Sequence, residues 1–220
     1  MDRKQSAKTK TTLGAGIKNS FKKIGNVFQN TIKSDDKIFS YLKTFADDKG
    51  VAAVMPSSRY LVGRTLRAMN IKHAKKIIEY GAAEGVMTRK ILEEMPKDGK
   101  ILSIELNDCF YEKLKSLQSD PRMSLYHGDV RHIDSIAKAH GFPAGEIDVI
   151  VSGIPFAFLS AKERAELLSK TSNLLKPGGC FVAYQVTTHL IPILKNHFRK
   201  VKIQFEIRNI PPHFVFAAFK

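Results

Sequence analysis

Two apolar runs, each ending in an acid, mark where this chain could do chemistry. The first, KIIEY, carries Glu79 and breaks through Gly81-Ala82-Ala83-Glu84-Gly85 into VMTRKILEEM; the second, ILSIE, ends in Glu105. A strand that turns through glycines into a helix leaves backbone amides open to a ligand. An acid at the end of the next strand is placed to accept both hydroxyls of a ribose. The alternatives are an ordinary strand–helix turn and a solvated carboxylate. A third run closes on His127-Gly128-Asp129-Val130, where Asp129 is either an acceptor for an adenine amino group or a helix N-cap. A fourth, DVIVSGIPF, carries Ser152, Gly153 and Phe156 past the end of a strand, where open parallel sheets hold their active sites.

The loop itself narrows the ligand. A dinucleotide fold wants G-x-G-x-x-G, so that a helix N-terminus meets pyrophosphate; here Glu84 stands where an anion would be repelled. S-adenosylmethionine has no phosphate and carries a cationic sulfonium, so acids near the loop suit it. Glu84 is also favourable simply as an acid at a helix N-terminus. Gly81 and Gly85 supply unusual backbone angles and close approach. The chain has no Gly-x-Ser-x-Gly elbow and no Walker loop. Its histidines show no metal-ligand spacing with Cys109 or Cys180, so no metal is expected. Two isolated cysteines point to unpaired thiols in a reducing compartment.

These residues need a scaffold of alternating strands and helices, and the patterning supplies one. A helix is expected over 59–69 behind Pro56-Ser57-Ser58, then strand 75–80, helix 85–95, strand 100–105, helix 108–118, strand 122–127, a short helix at 132–140 and strand 147–152. Helix 160–175 runs into the Lys176-Pro177-Gly178-Gly179 turn, followed by strand 180–186 and helix 187–198. Strands 200–208 and 213–219 are joined too closely for a parallel crossover and must be antiparallel. The fold class is α/β: a doubly wound, mostly parallel, Rossmann-like sheet.

At 220 residues and 43% hydrophobic composition, one domain (49–220) plus an extension (1–48) is expected. No run reaches the roughly 18–20 apolar residues of a spanning helix, and no secretory signal is expected. Net charge is +15, of which residues 1–34 hold eight lysines and arginines against Asp2, 8 − 1 = +7. Leu13, Ile17, Phe21, Ile24, Phe28 and Ile32 recur at helical spacing beside Lys18, Lys22 and Lys23. An N-terminal amphipathic helix over 13–32 lying on an anionic membrane is therefore expected, with a partner-helix surface or packing on the core as alternatives. Binding through these lysines should weaken with salt. Nucleic acid is the less favoured anionic partner.

The ordered series GVAAVMPSSRYL, EYGAAEGVMTRKIL, SIELND, HGDV, DVIVSGIPF, LLKPGGCFVAYQ and RNIPPHFVF, spanning about residues 50–219, resembles the bacterial phospholipid N-methyltransferases. These are class I, S-adenosylmethionine-dependent enzymes related in fold to rRNA adenine dimethyltransferases. The resemblance implies a seven-stranded sheet and successive methylation of the phosphatidylethanolamine amine towards phosphatidylcholine. Related enzymes methylate the amine of ornithine lipids. It also implies an amphipathic N-terminal helix on anionic lipid, and a cytoplasmic, peripheral location on the inner face of the cell membrane. Two departures stand out: the family's acid-x-Gly-x-Gly-x-Gly loop has Ala83 and then Glu84 here, and the N-terminal segment is longer and richer in lysine.

The expected cofactor contacts are Glu79, Gly81, Ala83, Gly85, Glu105, Leu106, Asp129, Val130 and Ser152. For the acceptor, Ser152 and the Ser152–Gly153 carbonyls would orient an amine, and Tyr60 and Phe156 would present aromatic faces to a methylated cation. For Phe156 the alternative is core packing. Tyr60 or His127 would take up the proton, His127 being otherwise structural. The competing readings are an rRNA adenine N-methyltransferase, against which Ser-Gly-Ile-Pro stands where Asn-Leu-Pro-Tyr is usual, and a non-catalytic lipid- or nucleic-acid-binding module.

Overall fold

The chain divides into two units, Met1–Val54 and Met55–Lys220. The computed structural model describes residues 57–220. The 13–32 stripe, and with it the whole 1–48 extension, lies outside the described residues. Among the described residues, no helix is long and apolar enough to cross a membrane.

Seven strands form one sheet: β1 (Lys76–Tyr80), β2 (Lys100–Glu105), β3 (Met123–His127), β4 (Ile147–Ser152), β5 (Leu175–Gln185), β6 (Lys200–Glu206) and β7 (His213–Phe219), in the order β3-β2-β1-β4-β5-β7-β6. β1 to β5 run parallel, and β7 is inserted antiparallel between β5 and β6. The sheet has the doubly wound form that the apolar runs imply. Strand order reverses between β1 and β4, and such a switch point opens a crevice at the strands' carboxyl ends.

Among the described residues six helices flank it: α1 (Arg59–Met69), α2 (Val86–Glu94), α3 (Asp108–Leu114), α4 (Ile133–Ala139), α5 (Ala161–Leu174) and α6 (Leu190–His197). Successive side chains of a strand point to opposite faces, and this sorts the core into two layers. Ile77, Ile101, Val149 and Val182 pack with Leu61, Leu66 and Ile91 on the α1–α2 face. Ile78, Leu102, Ile150 and Phe181 pack with Ile133, Leu168 and Leu194 on the face of α4, α5 and α6. Helix starts follow local chemistry. Ser58 Oγ accepts from the Leu61 amide at 3.2 Å, and α5 opens on a capping box between Ser160 and Glu163.

Three boundaries differ from expectation by three residues or more. α3 stops at Leu114 and continues to Ser119 as a 3-10 turn. α6 starts at Leu190 rather than 187. β5 begins at Leu175 and takes in the Lys176–Gly179 turn, where pairing with β4 shifts register between Ile147 and Val149. Asp148 secures that irregularity, accepting from the Lys75 and Lys76 amides at 2.9 and 2.8 Å and pairing with Lys176.

Candidate active site

A cleft of about 740 Å³ opens at the carboxyl ends of β1 to β4. Two glycine-bearing turns meet at its floor. The Gly81 amide donates to the Ile104 carbonyl at 2.8 Å, and the Gly153 amide to the Tyr80 carbonyl at 2.9 Å. Neither position has room for a methyl group. A Cβ at Gly81 would lie 2.8 Å from Ile154 Cγ2, and one at Gly153 would lie 2.3 Å from the Tyr184 hydroxyl and 3.1 Å from the Gly81 carbonyl. Glycine lets the loop after β1 and the turn after β4 touch backbone to backbone. Gln185 ties the turn down by donating from Nε2 to the Ile154 carbonyl at 2.8 Å.

Of the residues expected to hold a cofactor, Gly81, Ala83, Glu105, Leu106, Asp129 and Val130 line this cleft, together with Gly153. Glu105 is nearly buried, and the chain's own backbone aims it. Oε2 accepts from the Ala83 amide and Oε1 from the Asn107 amide, both at 2.8 Å. Each oxygen keeps a second lone pair for a ligand hydroxyl. Leu106 and Val130 provide apolar wall for a flat ring. Asp129 is an N-cap that also lines the cleft: Oδ1 accepts from the Arg131 amide and Oδ2 from the Arg131 guanidinium, both at 2.8 Å. Burial pushes its carboxyl up, but these Arg131 contacts outweigh that and hold it below the usual range.

The charged residues on the wall are Glu105, Asp108, Asp129 and Glu163 against Arg131 alone, 1 − 4 = −3. A wall of that sign fits a cationic sulfonium and ammonium and disfavours phosphates.

Ala83 is in the left-handed region at φ 48, one of only two non-glycine residues with positive φ among the described residues. The departure from glycine is therefore carried as backbone strain. Ala83→Gly should stabilise the fold by about 1 kcal/mol in denaturant titration, since relief of strain exceeds the added unfolded-state entropy.

Five expected residues, Glu79, Phe156, Tyr60, Gly85 and Ser152, do not line the cleft. Glu79 is buried on the α1–α2 face beneath the loop, and its Oε2 accepts from Thr88 Oγ1 at 2.7 Å and Ser103 Oγ at 2.8 Å. It braces the loop from below and does not line the cleft. Phe156 is core, edge-on to Phe181 at 6.1 Å, because the 3-10 turn Phe156–Phe158 points it back under the sheet; Phe158 lines the cleft instead. The Tyr60 ring already has the chain's own cations over it, the Arg208 guanidinium 4.1 Å from its centroid and Arg59 at 4.9 Å. Gly85 is the left-handed N-cap of α2, packed against Leu114 and Leu117, and holds the helix rather than a ligand.

Ser152 pairs with Tyr80 and Ala183, and its hydroxyl is buried without a hydrogen-bond partner among the described residues. Its neighbour Gly153, not its side chain, reaches the cleft wall. His127 is held by the Leu106 carbonyl and Asp108, each at 3.1 Å, and stacks on Tyr111. It is a strut.

Sequence reading missed Asn107, Phe110, Phe158, Glu163 and Tyr184. The Ser160-x-x-Glu163 capping pattern was a usable signal for Glu163. Tyr184 had none: it reaches Gly153 only through the pairing of β5 with β4.

Glu79 makes the fold sensitive to pH. Burial, outweighing its hydrogen bonds to Thr88 and Ser103, pushes its carboxyl from 4.5 up to about 7. Between those values the folded protein binds more protons than the unfolded chain. Stability is therefore highest below the lower value, falls as pH rises through the window, and levels off above it. Glu79→Gln keeps an acceptor for Thr88 and Ser103 and should flatten the melting temperature across that window. An unchanged slope would assign the dependence to another group.

A glycine loop at the sheet's switch point, a carboxylate aimed by two backbone amides and an acidic cleft mark a class I S-adenosylmethionine-dependent methyltransferase domain, with S-adenosylmethionine as methyl donor. Residues 77–179 match the family described as Methyltransferase domain. The ornithine lipid N-methyltransferase of Singulisphaera acidiphila is 27% identical over 176 residues, covering 77% of this chain and 88% of that protein. The ribosomal RNA small subunit methyltransferase A of Crocosphaera subtropica is 30% identical over 97 residues, covering 43% of this chain and 35% of that one. Among solved structures, the precorrin-6y C5,15-methyltransferase of Geobacter metallireducens shares the fold with a TM-score of 0.60 at 16% identity, over 76% of this chain and 91% of that one.

Proposed function

We propose that this chain is an N-methyltransferase of membrane aminolipids, with phosphatidylethanolamine as acceptor and phosphatidylcholine as end product. The observation carrying the reading is the Gly153 turn, which puts the backbone of Ser152–Gly153 against the glycine loop at one edge of the cleft. Bound S-adenosylmethionine supplies a sulfonium methyl group to an acceptor lone pair. Glu105 and Asp129 would hold the cofactor's hydroxyls and amino group. The Ser152 and Gly153 carbonyls would accept from the acceptor nitrogen and aim its lone pair.

An alkylammonium titrates near pKa 10, so the site must favour the neutral amine, and desolvation by Ile154, Pro155, Phe158 and Leu159 does that. Tyr184 is kept a neutral phenol, since burial and then the Glu79 charge push it up. It acts as a positioning residue over Gly153. No covalent intermediate is needed, so orientation supplies most of the acceleration.

A second head group is favoured by a specific observation: a relative matched over 88% of its own length is named an ornithine lipid N-methyltransferase. Incubation with labelled methyl donor, mixed bacterial lipid and ribosomal RNA separates the readings. Label in phosphatidylethanolamine-derived lipid supports the first, and label in ornithine lipid the second. Label in RNA, or none with the cofactor bound, overturns both.

A further inference from the structure

The β6–β7 hairpin gathers features that the catalytic reading leaves unused. β6 runs parallel to β5, so its end at Glu206 lies at the same sheet edge as Tyr80, Ser152 and Gln185. Beyond that edge Ile207 is 71% exposed and Ile210 37%, with Phe205 behind them at 43%. Isolated exposed apolar residues need no explanation, but several in one hairpin, at the same carboxyl-end edge of the sheet as the cleft, do. Beside them stand Arg59, Arg64 and Arg208 against one carboxylate, Glu206, which Arg208 and then Arg64 hold down at about 2. Arg59 and Arg208 both lie over the Tyr60 ring.

Ser57 and Ser58 are tied to this edge as well. Ser58 donates its amide to Asn209 Oδ1 at 2.8 Å, and Asn209 in turn donates to the Pro211 carbonyl at 2.9 Å. Ser57 bonds to Tyr184, whose hydroxyl lies over Gly153. The hairpin, its arginines and the acceptor turn are thus one connected piece.

We infer that the hairpin, through Ile207 and Ile210 flanked by Arg59 and Arg208, docks onto an anionic lipid bilayer and brings the cleft mouth to the head groups. The isoleucines enter the interface while the guanidiniums meet lipid phosphates, the pairing of apolar and basic groups that interfacial binding requires. This rests on the reading of a bilayer-resident acceptor, and it is independent of whatever residues 13–32 contribute.

The chain contains no tryptophan, so a single introduced indole reports its own surroundings. Full-length Ile207→Trp and Ile210→Trp should each shift their emission to the blue on phosphatidylglycerol-containing vesicles and be quenched by lipids brominated in the acyl chain. Lys97→Trp, in the α2–β2 loop at the opposite sheet edge, should do neither. Ile207→Asp should lower partitioning to the same vesicles by about tenfold, the loss expected for one apolar anchor. Indoles that stay in water while the protein binds vesicles would overturn the inference. So would a blue shift that grows with protein concentration without vesicles, which marks a second copy, or a response to RNA in place of vesicles.

The labelled-lipid assay in detergent, where docking is not needed, keeps this test separate from the functional one. Methylated lipid with unquenched indoles removes the surface and leaves the activity; quenched indoles with unlabelled lipid do the reverse.

Discussion

Glu105→Ala binds S-adenosylmethionine at least about a hundredfold more weakly than the parent chain in titration calorimetry. Loss of two hydrogen bonds to a charged acceptor costs about 3 kcal/mol, which is that factor. Among the described residues, only the carboxylate at the end of β2 is aimed into the cleft by two backbone amides, those of Ala83 and Asn107. Its removal also frees the Ala83 amide, loosening the loop that the cofactor must meet. Glu105→Gln should lie between, because one oxygen survives but the amide nitrogen faces one of the two N–H donors. The fold itself should persist, since the freed amides border the cleft and water can reach them. Affinity within about threefold of the parent would remove Glu105 from the site, given the roughly 1.5–3 kcal/mol expected of each charged hydrogen bond.

Gly153→Ala has the second large effect, in turnover rather than affinity. The new methyl would lie 2.3 Å from the Tyr184 hydroxyl, 3.0 Å from its Cζ and 3.1 Å from the Gly81 carbonyl, so the turn after β4 must move. A displacement near 1 Å at a reacting centre costs about a hundredfold. The loss should fall on kcat, with cofactor affinity changed far less. Tyr184→Phe removes the closest of those contacts, so the double variant should recover at least part of the lost turnover. Contacting residues couple in this way, and remote ones add. Strict additivity of the two changes, or full turnover by Gly153→Ala alone, would mean that the turn does not position the acceptor.

Much of the site was legible because it depends on local rules. Gly81, Glu105, Asp129 and Gly153 each stand at the end of an apolar run, and carboxyl ends of parallel strands face a common edge whatever the strand order. The Ser58 and Ser160 caps were readable for the same reason: a capping side chain needs only its own next three residues.

Side-chain direction beyond the strand ends was not legible. Phe156 and Phe158 are two residues apart in a 3-10 turn, and only the backbone path after Ser152 sends one to the core and the other to the cleft. Glu79 looked like a ligand group, but strand alternation places it with Thr88 and Ser103 beneath the loop. Tyr60 looked open until Arg208, far along the chain, came over its ring.

The sequence by itself determined the order of strands and helices, the carboxylate closing β2, the glycines at the switch point and the acidic character of the loop. Periodicity and turn chemistry act within a few residues, and that is enough to specify them. Tertiary structure alone decided that β7 lies between β5 and β6, that Tyr184 closes over Gly153, and that Ile207, Ile210, Arg59 and Arg208 share one edge with the cleft. Such juxtapositions join segments up to 151 residues apart, as in the Ser58–Asn209 hydrogen bond. They depend on which faces remain to be covered once each strand has found its neighbours, and no local pattern encodes that.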